Sequence, residues 1–158
     1  MERKNKIEID YYIFIDYSER LVGYIIIQKE KIKELLPRIS KLHHYKDIKY
    51  KRAYIQSIKK VFEKNKINKY FFKFKSKELK DNLSIYVDII DFVKKYDDCK
   101  IFISVDNNQF KVFIRLVDMI PHKEHITIVK ESGLKKGSAE YELSLIIDTK
   151  LNMERLSK

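Results

Sequence analysis

The sequence predicts an α/β domain built on a mixed sheet with helices on both of its faces. Two observations support this prediction. A hairpin rich in apolar and β-branched residues opens the chain, and helical and strand patterns alternate from there to the C-terminus. Such alternation gives parallel strands with helical crossovers, whereas the hairpin is antiparallel. With 158 residues, the chain suits a single domain, residues 1–158, with a sizeable core.

The opening hairpin is predicted from two apolar runs. Residues 7–15 are expected to form the first strand and residues 21–28 its antiparallel partner, because the connection DYSER between them has hairpin length. Asp16 then stands at the tip of an apolar strand. A carboxylate in that place is either turn chemistry, since Asp bonds nearby backbone amides, or a metal ligand. The hairpin alone leaves both interpretations open.

The middle of the chain predicts helix followed by strand. Residues 29–46 have helical spacing interrupted by Pro37, which indicates a short helix or an irregular crossover. Residues 47–66 place apolar side chains on one face and lysines on the other, as in an amphipathic helix. Residues 69–75, KYFFKFK, end in alternating Phe and Lys, a pattern typical of a strand near a sheet edge.

The second half of the chain alternates in the same way. The helical segments are 76–96, 108–120 and 138–156, and the strand segments are 100–106 and 125–130. Ser76 is the expected cap of the first of these helices. The segment KIFISVD is short and almost continuously apolar, as expected of a parallel strand buried on both faces, and it ends in Asp106.

Composition indicates a basic protein. Lys and Arg outnumber Asp and Glu by 34 to 23, a formal charge of +11, which favours a polyanionic partner such as nucleic acid, although solubility would be served equally well. Abundant Lys and Glu with only 3 Gly and 2 Pro is compatible with heat adaptation or with an AT-rich genome.

Cysteine usage and hydropathy indicate the compartment. The single cysteine, Cys99, allows no internal disulfide and is expected to be buried, which favours a cytoplasmic protein. No run of 18 apolar residues predicts a membrane span, and acidic residues interrupt any signal-peptide core near the N-terminus. The His43-His44 and His122/His125 pairs are expected to be surface histidines rather than zinc ligands, because no second cysteine joins them.

Three carboxylates are expected to converge. In open α/β sheets, sites form beyond the carboxyl ends of strands, and Asp16 and Asp106 each follow a predicted strand. Asp148 lies on the closing helix, on a stripe shared with Tyr141, Leu145 and Asn152. A carboxylate on a largely apolar helix face requires a partner, and a divalent metal would serve. Each Asp alone fits an ordinary turn or surface role, whereas the three together favour a metal site.

These residues bring out a family resemblance. The order of elements is similar to the ribonuclease H-like fold and, more narrowly, resembles the family catalogued as domain of unknown function 3800. That family opens with a strand ending DESG, matched here by DYSE at residues 16–19. Its later motifs correspond to Asp47-Ile48-Lys49, to ISVD ending in Asp106, to Glu131-Ser132, and to SLIID ending in Asp148.

The resemblance implies a metal-dependent nuclease or a related phosphoryl-transfer enzyme. Asp16, Asp106 and Asp148 would be the catalytic, metal-binding residues, with Asp47 or Glu131 as a further acid. The implied cofactor is Mg²⁺ or Mn²⁺, held by carboxylate oxygens, and the implied partner is nucleic acid, DNA or RNA.

A basic surface is expected beside these acids. Lys49 would neutralise a phosphate, and the helix of residues 47–66 would bind nucleic acid through its exposed cations, which are Lys51, Arg52, Lys59, Lys60 and Lys64. The alternative function is a non-catalytic module with the same fold and a degenerate site that binds nucleic acid or protein, because Tyr17, Glu19 and Leu145 depart from the family motifs. No membrane partner is expected, and the oligomeric state is open, a homodimer included.

Overall fold

A computed structural model describes residues 8–96, 98–104, 107–121 and 123–157, and it contains a five-stranded sheet. The strands are β1 Tyr11–Ser18, β2 Leu21–Gln28, β3 Lys73–Glu78, β4 Cys99–Ile103 and β5 Ile126–Lys130. The α-helices within these ranges are α1 Lys29–Leu35, α2 Lys51–Lys64, α3 Asn82–Lys95, α4 Asn107–Asp118 and α5 Ala139–Leu156. Short 3-10 turns join several of these elements, among them Tyr45–Asp47 and Glu131–Gly133.

The sheet is mixed, with strand order β3-β2-β1-β4-β5. β2 pairs antiparallel with both β1 and β3, while β4 pairs parallel with both β1 and β5. The predicted α/β fold class is therefore confirmed: a mixed sheet in which an antiparallel hairpin precedes the parallel strands. β3 lies at an edge, as its alternating lysines predicted.

Helices cover both faces of the sheet, and each face has its own core. Ile13, Ile15 and Ile101 point to the face covered by α3 and α4, where Tyr86 and Phe113 are fully buried. The alternate residues of the same strands point to the face covered by α1, α2 and α5. Because successive side chains of a strand point to opposite faces, the position of a polar residue in β1 decides which helices it meets.

Close packing of α5 on the sheet depends on Gly23 in β2. A Cβ at this position would lie 2.7 Å from Leu151 Cδ2 and 2.9 Å from the carbonyl oxygen of Lys75, closer than real contacts allow. Gly23 pairs directly with Asp16 of β1. The missing side chain therefore lets α5 approach the sheet at the register of the predicted metal ligand.

Two predicted boundaries are wrong. β1 starts later than residue 7 and extends to Ser18, so Asp16 lies inside the strand rather than at its tip, and the turn consists of Glu19 and Arg20. Ser76 is not a helix cap, because it pairs with Gly23 in β3 and the helix begins at Asn82. In both cases strand pairing extends past the point where the apolar pattern stops.

The remaining elements agree with the predictions to within a few residues. Residues 29–46 form α1 and an irregular crossover, and the closing helix begins after Ser138, whose side chain accepts a hydrogen bond from the Tyr141 amide. Cys99 is buried, as predicted. Of the helices in the described ranges, none has the length and apolar character that crossing a membrane requires.

Candidate active site

Asp16 is a buried carboxylate on the α5 side of the sheet. It is only 5% exposed and lies on the same face of β1 as Phe14 and Ser18. Its Oδ1 accepts a hydrogen bond of 2.8 Å from the backbone N–H of Tyr17, and the Ser104 side chain, just past β4, also bonds to the carboxylate. Asp16 thus sits where β1 and the end of β4 meet.

Asp148 faces Asp16 from α5 and is equally buried, with 5% exposure. Its Oδ2 accepts a hydrogen bond of 2.8 Å from the backbone N–H of Tyr45, the first residue of the 3-10 turn Tyr45–Asp47. His44 Nδ1 lies 3.9 Å from the same oxygen. Within the described residues, that Nδ1 is a buried polar atom without a hydrogen-bond partner.

The acids are close enough to shift one another's ionisation. Burial raises the pKa of Asp16 well above its usual range, and the charges of Glu131 and Asp148 raise it further, against the smaller opposing effect of its hydrogen bonds. Burial also raises the pKa of Asp148, while the Tyr45 amide, His44 and other neighbours partly oppose the rise. Asp16, Asp148 and Glu131 therefore form one electrostatic cluster.

Tyr141 lies within reach of the same cluster. Burial raises the pKa of its hydroxyl, and the charges of Asp47, Glu142, Glu131 and Asp148 raise it further. Tyr141 precedes Asp148 by seven residues on α5, which is two helical turns, so both side chains lie on the same stripe. Carboxylates from the loops and from α5 therefore both act on the Tyr141 hydroxyl.

An open groove of about 460 Å³ lies beside this cluster. Its lining residues come from the ends of β4 and β5, from the 44–47 turn and from α5, and they are His44, Lys46, Asp47, Ser104, Glu131, Ser132, Leu134 and Tyr141. The groove therefore opens at the carboxyl ends of the parallel strands, where the topology predicts a site.

The structure brings together several of the predicted site residues. Glu131 and Asp47 line the groove, and Asp16 and Asp148 lie beside it, close enough to these acids for their charges to interact. Asp106 lies outside the described residues, so its predicted role stays a prediction. Within the described residues, no three His, Cys, Asp or Glu side chains are grouped closely enough to hold a metal ion.

Positions that depart from the family motifs have structural roles of their own. Tyr17 points to the opposite face of β1, where its hydroxyl hydrogen-bonds to that of Tyr86. Glu19 has a φ of +50°, a left-handed conformation that a glycine adopts easily and that fits the glycine of DESG. Leu145 is buried in the core between the sheet and helices α1, α2 and α5. These substitutions leave Asp16 and Asp148 facing each other.

The predicted basic helix keeps most of its cations in solvent. Lys51, Arg52, Lys60 and Lys64 of α2 are exposed, whereas Lys59 is half-buried. Lys51 Nζ donates a hydrogen bond to the Ile48 carbonyl at 2.8 Å, so one of the donors of this ammonium group is already used at the start of α2. The face is solvated and positively charged, as the pattern predicted.

Sequence reasoning missed His44, Tyr141 and Ser104. His44 was expected to be an ordinary surface histidine, yet it lies between the surface and Asp148. Tyr141 shares the helical stripe of Asp148, and that spacing was the available signal for it. Ser104 stands directly after β4, two residues before Asp106, but a serine at a strand end gives no distinguishing signal.

Comparison with known proteins gives likenesses among solved structures but none among family models or curated proteins. No protein-family model matches the chain, and no curated protein matches it, so the resemblance to the domain of unknown function 3800 family stays a prediction. Among solved structures, the chain is similar to the crystal structure of Bst-RNase HIII in complex with Mn2+, at a TM-score of 0.49 and 12% identity. The match covers 96% of this chain and 56% of that one, so the chain spans little more than half of that protein's length. At this identity and TM-score, the likeness says nothing about activity.

Proposed function

We propose that this protein is a divalent-metal-dependent nuclease or a related phosphoryl-transfer enzyme that acts on nucleic acid. The observation that supports this most strongly is the pair formed by Asp16 and Asp148. Both are 5% exposed, they come from a central strand and the closing helix, and they face each other beside an open groove at the carboxyl ends of the parallel strands.

The donor set fits a hard divalent cation such as Mg²⁺ or Mn²⁺. Carboxylate oxygens are the ligands these cations prefer, and buried carboxylates that raise one another's pKa gain most from a nearby positive charge. In the described part of the chain, no Lys or Arg forms an ion pair with Asp16. Asp16 and Asp148 would hold the metal, Asp106 is the third proposed ligand, and Glu131 or Asp47 is a further one.

The chain's own residues prepare the site in defined ways. The Tyr17 amide and Ser104 orient Asp16, and the Tyr45 amide orients Asp148, so each carboxylate keeps at least one fixed hydrogen bond. A bound metal would supply a nucleophilic water and stabilise the charge that develops on a phosphate. The open groove beside these acids would receive a phosphodiester from solvent, and it is lined by Ser104, which bonds to Asp16, and by Glu131.

The positively charged side of the molecule supports nucleic acid as the substrate. Exposed cations of α2 continue from the 44–49 segment that lines the site, and the formal charge of the chain is +11. Lysine and arginine that neutralise phosphates release counterions, which favours binding to any polyanion. Lys49 lines a second groove that His44 and Asp47 also line, and there it would neutralise a phosphate next to the one at the acids.

Substitution of Asp16 by Asn tests the chemistry. Asp16→Asn keeps the size of the side chain and removes its charge, so we expect Mn²⁺-dependent cleavage of DNA, RNA or hybrid substrates to fall by on the order of 10²-fold or more. Asp148→Asn should have the same effect. The matched control is Asp91→Asn, which changes an exposed carboxylate on α3, across the sheet, and should cleave like the wild type.

Metal binding is measured separately from cleavage. Millimolar Mn²⁺ should raise the melting temperature of the wild type and of Asp91→Asn, because an ion that binds only the folded protein stabilises it. The melting temperature of Asp16→Asn should not rise, because this variant lacks a proposed metal ligand. Full activity of Asp16→Asn would contradict the proposal. If the wild type neither cleaves any substrate nor responds to Mn²⁺, the nuclease proposal is refuted and the binding-module alternative is favoured.

A further inference from the structure

The aromatic residues near α2 differ sharply in exposure. Seven of them are interspersed with lysines between residues 45 and 72, which is a composition suited either to a core or to a nucleic-acid surface. Tyr50, which caps the start of α2, is 71% exposed. A large aromatic side chain with so much of its surface in water contributes little to the core, so the Tyr50 ring is available for contact with a ligand.

The other six aromatic residues are engaged by the protein, and one of them, Phe62, is buried in the core on the α5 side of the sheet. The Tyr45 ring lies 5.6 Å from Lys51 Nζ and 5.6 Å from Arg155 Cζ, between two cations. The Tyr54 hydroxyl exchanges hydrogen bonds with the backbone of His43, and Tyr70 donates one to Glu34. Phe71 packs against the second core, and Phe72 packs against the rings of Tyr11, Phe92 and Tyr96.

A second groove extends from the candidate active site to Lys49, the residue next to Tyr50. Its volume is about 540 Å³, and it shares His44, Asp47 and Tyr141 with the groove at the acids, so the two spaces are neighbours. On its far side it is lined by Lys49 and Lys136. Lys49 Nζ lies 5.5 Å from the centre of the Tyr50 ring, which places the exposed ring at the mouth of this groove.

The charges around Tyr50 favour the sugar-phosphate backbone of a nucleic acid. Within the second groove, Lys49 and Lys136 are balanced by Asp47 and Glu142, so the groove alone attracts anions weakly. Beyond Tyr50 the balance changes, because Lys51 and Arg52 follow directly and both are exposed. An aromatic ring flanked by cations is the arrangement that binds bases by stacking and the backbone by charge.

We propose that Tyr50 stacks on an unpaired base and that one strand of nucleic acid runs from there past Tyr141 to the acids. This inference rests on the proposed function and narrows its substrate to single-stranded nucleic acid or to single-stranded segments. Bases inside a duplex offer no free face for stacking, whereas any unpaired base does. The contact should therefore tolerate many sequences and discriminate between one strand and two.

Binding of a labelled oligonucleotide tests the inference without any catalysis. The probes are a fluorescein-labelled ten-nucleotide thymidine strand and a 40-base-pair blunt duplex, measured by fluorescence anisotropy at low salt with EDTA. Tyr50→Ala should weaken binding of the single strand by about tenfold, the size of one lost stacking contact. Tyr50→Phe keeps the ring and should stay within about twofold of the wild type, and duplex affinity should be the same in all three proteins.

A matched control distinguishes loss of stacking from the loss of any large exposed side chain. Met119 is 78% exposed and lies just after α4, on the other side of the sheet, so Met119→Ala should bind both probes like the wild type. Wild-type affinity for the single strand in Tyr50→Ala would overturn the inference, as would an equal loss for the duplex. Failure of the wild type to bind the single strand would also overturn it.

The same experiment distinguishes this inference from the proposed nuclease function. Binding in EDTA does not require the carboxylates to hold metal, so a loss in Tyr50→Ala stands even if the wild type never cleaves. Conversely, if Asp16→Asn abolishes cleavage while Tyr50→Ala binds normally, the nuclease function stands and the role of Tyr50 is refuted.

Discussion

At the scale of single residues, Asp16 is held in an environment that opposes its ionisation. Burial is the largest cause of its raised pKa, followed by the charges of Glu131 and Asp148. The fixed hydrogen bonds from Tyr17 and Ser104 stabilise the charged form but do not outweigh these effects. A carboxyl group so placed lowers the stability of the fold whenever it must be charged.

This environment predicts how stability depends on pH. The folded-state pKa of Asp16 lies above its value of 3.8 in the unfolded chain. The favourable contribution of protonated Asp16 to the free energy of unfolding is therefore complete below about pH 4, and it is lost as pH rises through the raised pKa. As pH rises, we expect the free energy of unfolding to fall less in Asp16→Asn than in the wild type. At pH 8 in EDTA, the free energy of unfolding of Asp16→Asn should be higher than that of the wild type by about 1–3 kcal/mol.

Urea unfolding between pH 4.5 and pH 8 in EDTA measures this difference. Asp91→Asn, on the opposite side of the sheet, serves as the control and should follow the wild-type curve throughout. A stability gap between Asp16→Asn and the wild type that does not grow with pH would show that Asp16 carries no unfavourable charge in the folded protein.

The sequence was informative about Asp16 and Asp148 for a physical reason. A carboxylate that ends an apolar run, or interrupts an apolar helical stripe, conflicts with its surroundings, and such conflicts are visible without a structure. His44 and Glu131 present no such conflict, because they occur in polar segments, and only the folded chain brings them close to the acids. Glu131 was predicted through the family resemblance rather than from its own pattern.

At the scale of elements, the contact between α5 and β2 sets the distance between the two acids. Gly23 pairs with Asp16 and lies under Leu151, three residues after Asp148. The position of Asp148 relative to Asp16 thus depends on a residue that has no side chain. The sequence pattern predicted both β2 and α5 but could not predict this close approach, because it depends on how the two elements pack.

Gly23→Ala should destabilise the protein by about 1–3 kcal/mol, the usual cost of overpacking a well-filled core. The Leu151 side chain can move aside, but the Lys75 carbonyl belongs to the backbone of β3 and cannot move without disturbing the sheet. Chemical denaturation measures the effect. Gly133→Ala is the control, because a Cβ there meets nothing within 4 Å; equal stability of the two variants would contradict the close packing.

The turn that holds Asp148 is itself held by Arg155 at the end of α5. Arg155 donates to Ser18 Oγ at 3.1 Å and to Asn152 Oδ1 at 2.9 Å, and its guanidinium lies over the ring of Tyr45. Tyr45 in turn provides the amide that binds Asp148. Arg155 is therefore a positioning residue that acts on the acid through the turn.

Removal of Arg155 should loosen this turn specifically. In Arg155→Ala, hydrogen exchange of the Tyr45 amide should become about five- to tenfold faster, as expected for the loss of one cation–π contact of about 1 kcal/mol. Amides in the middle of α5 should keep their protection. Arg115→Ala, an exposed arginine of α4, is the control, and unchanged exchange at Tyr45 in Arg155→Ala would exclude the positioning role.

At the scale of the whole molecule, positive charge is distributed over both faces of the sheet. The α2 side has Lys51, Arg52, Lys60 and Lys64 exposed, of which Lys51 and Arg52 directly follow the segment that lines the second groove, while α3 and α4 also carry exposed lysines. Net charge alone predicted a polyanionic partner but not the surface that would meet it. Only the packing of α2 on the α5 side of the sheet brings one set of cations to the side where the acids lie.

Salt dependence of binding distinguishes the two sets of cations. Each phosphate contact contributes about one unit to the slope of log affinity against log salt, so removing Lys59, Lys60 and Lys64 together should flatten that slope by about two to three units. Triple substitution by Ala at Lys94, Lys95 and Lys111 changes the net charge equally, but on the α3 and α4 side, and should leave the slope nearly unchanged. Fluorescence anisotropy with a DNA or RNA probe between 50 and about 200 mM salt measures both. If the two triple variants lose affinity equally, binding follows net charge rather than a surface, and α2 is only a solvated helix face.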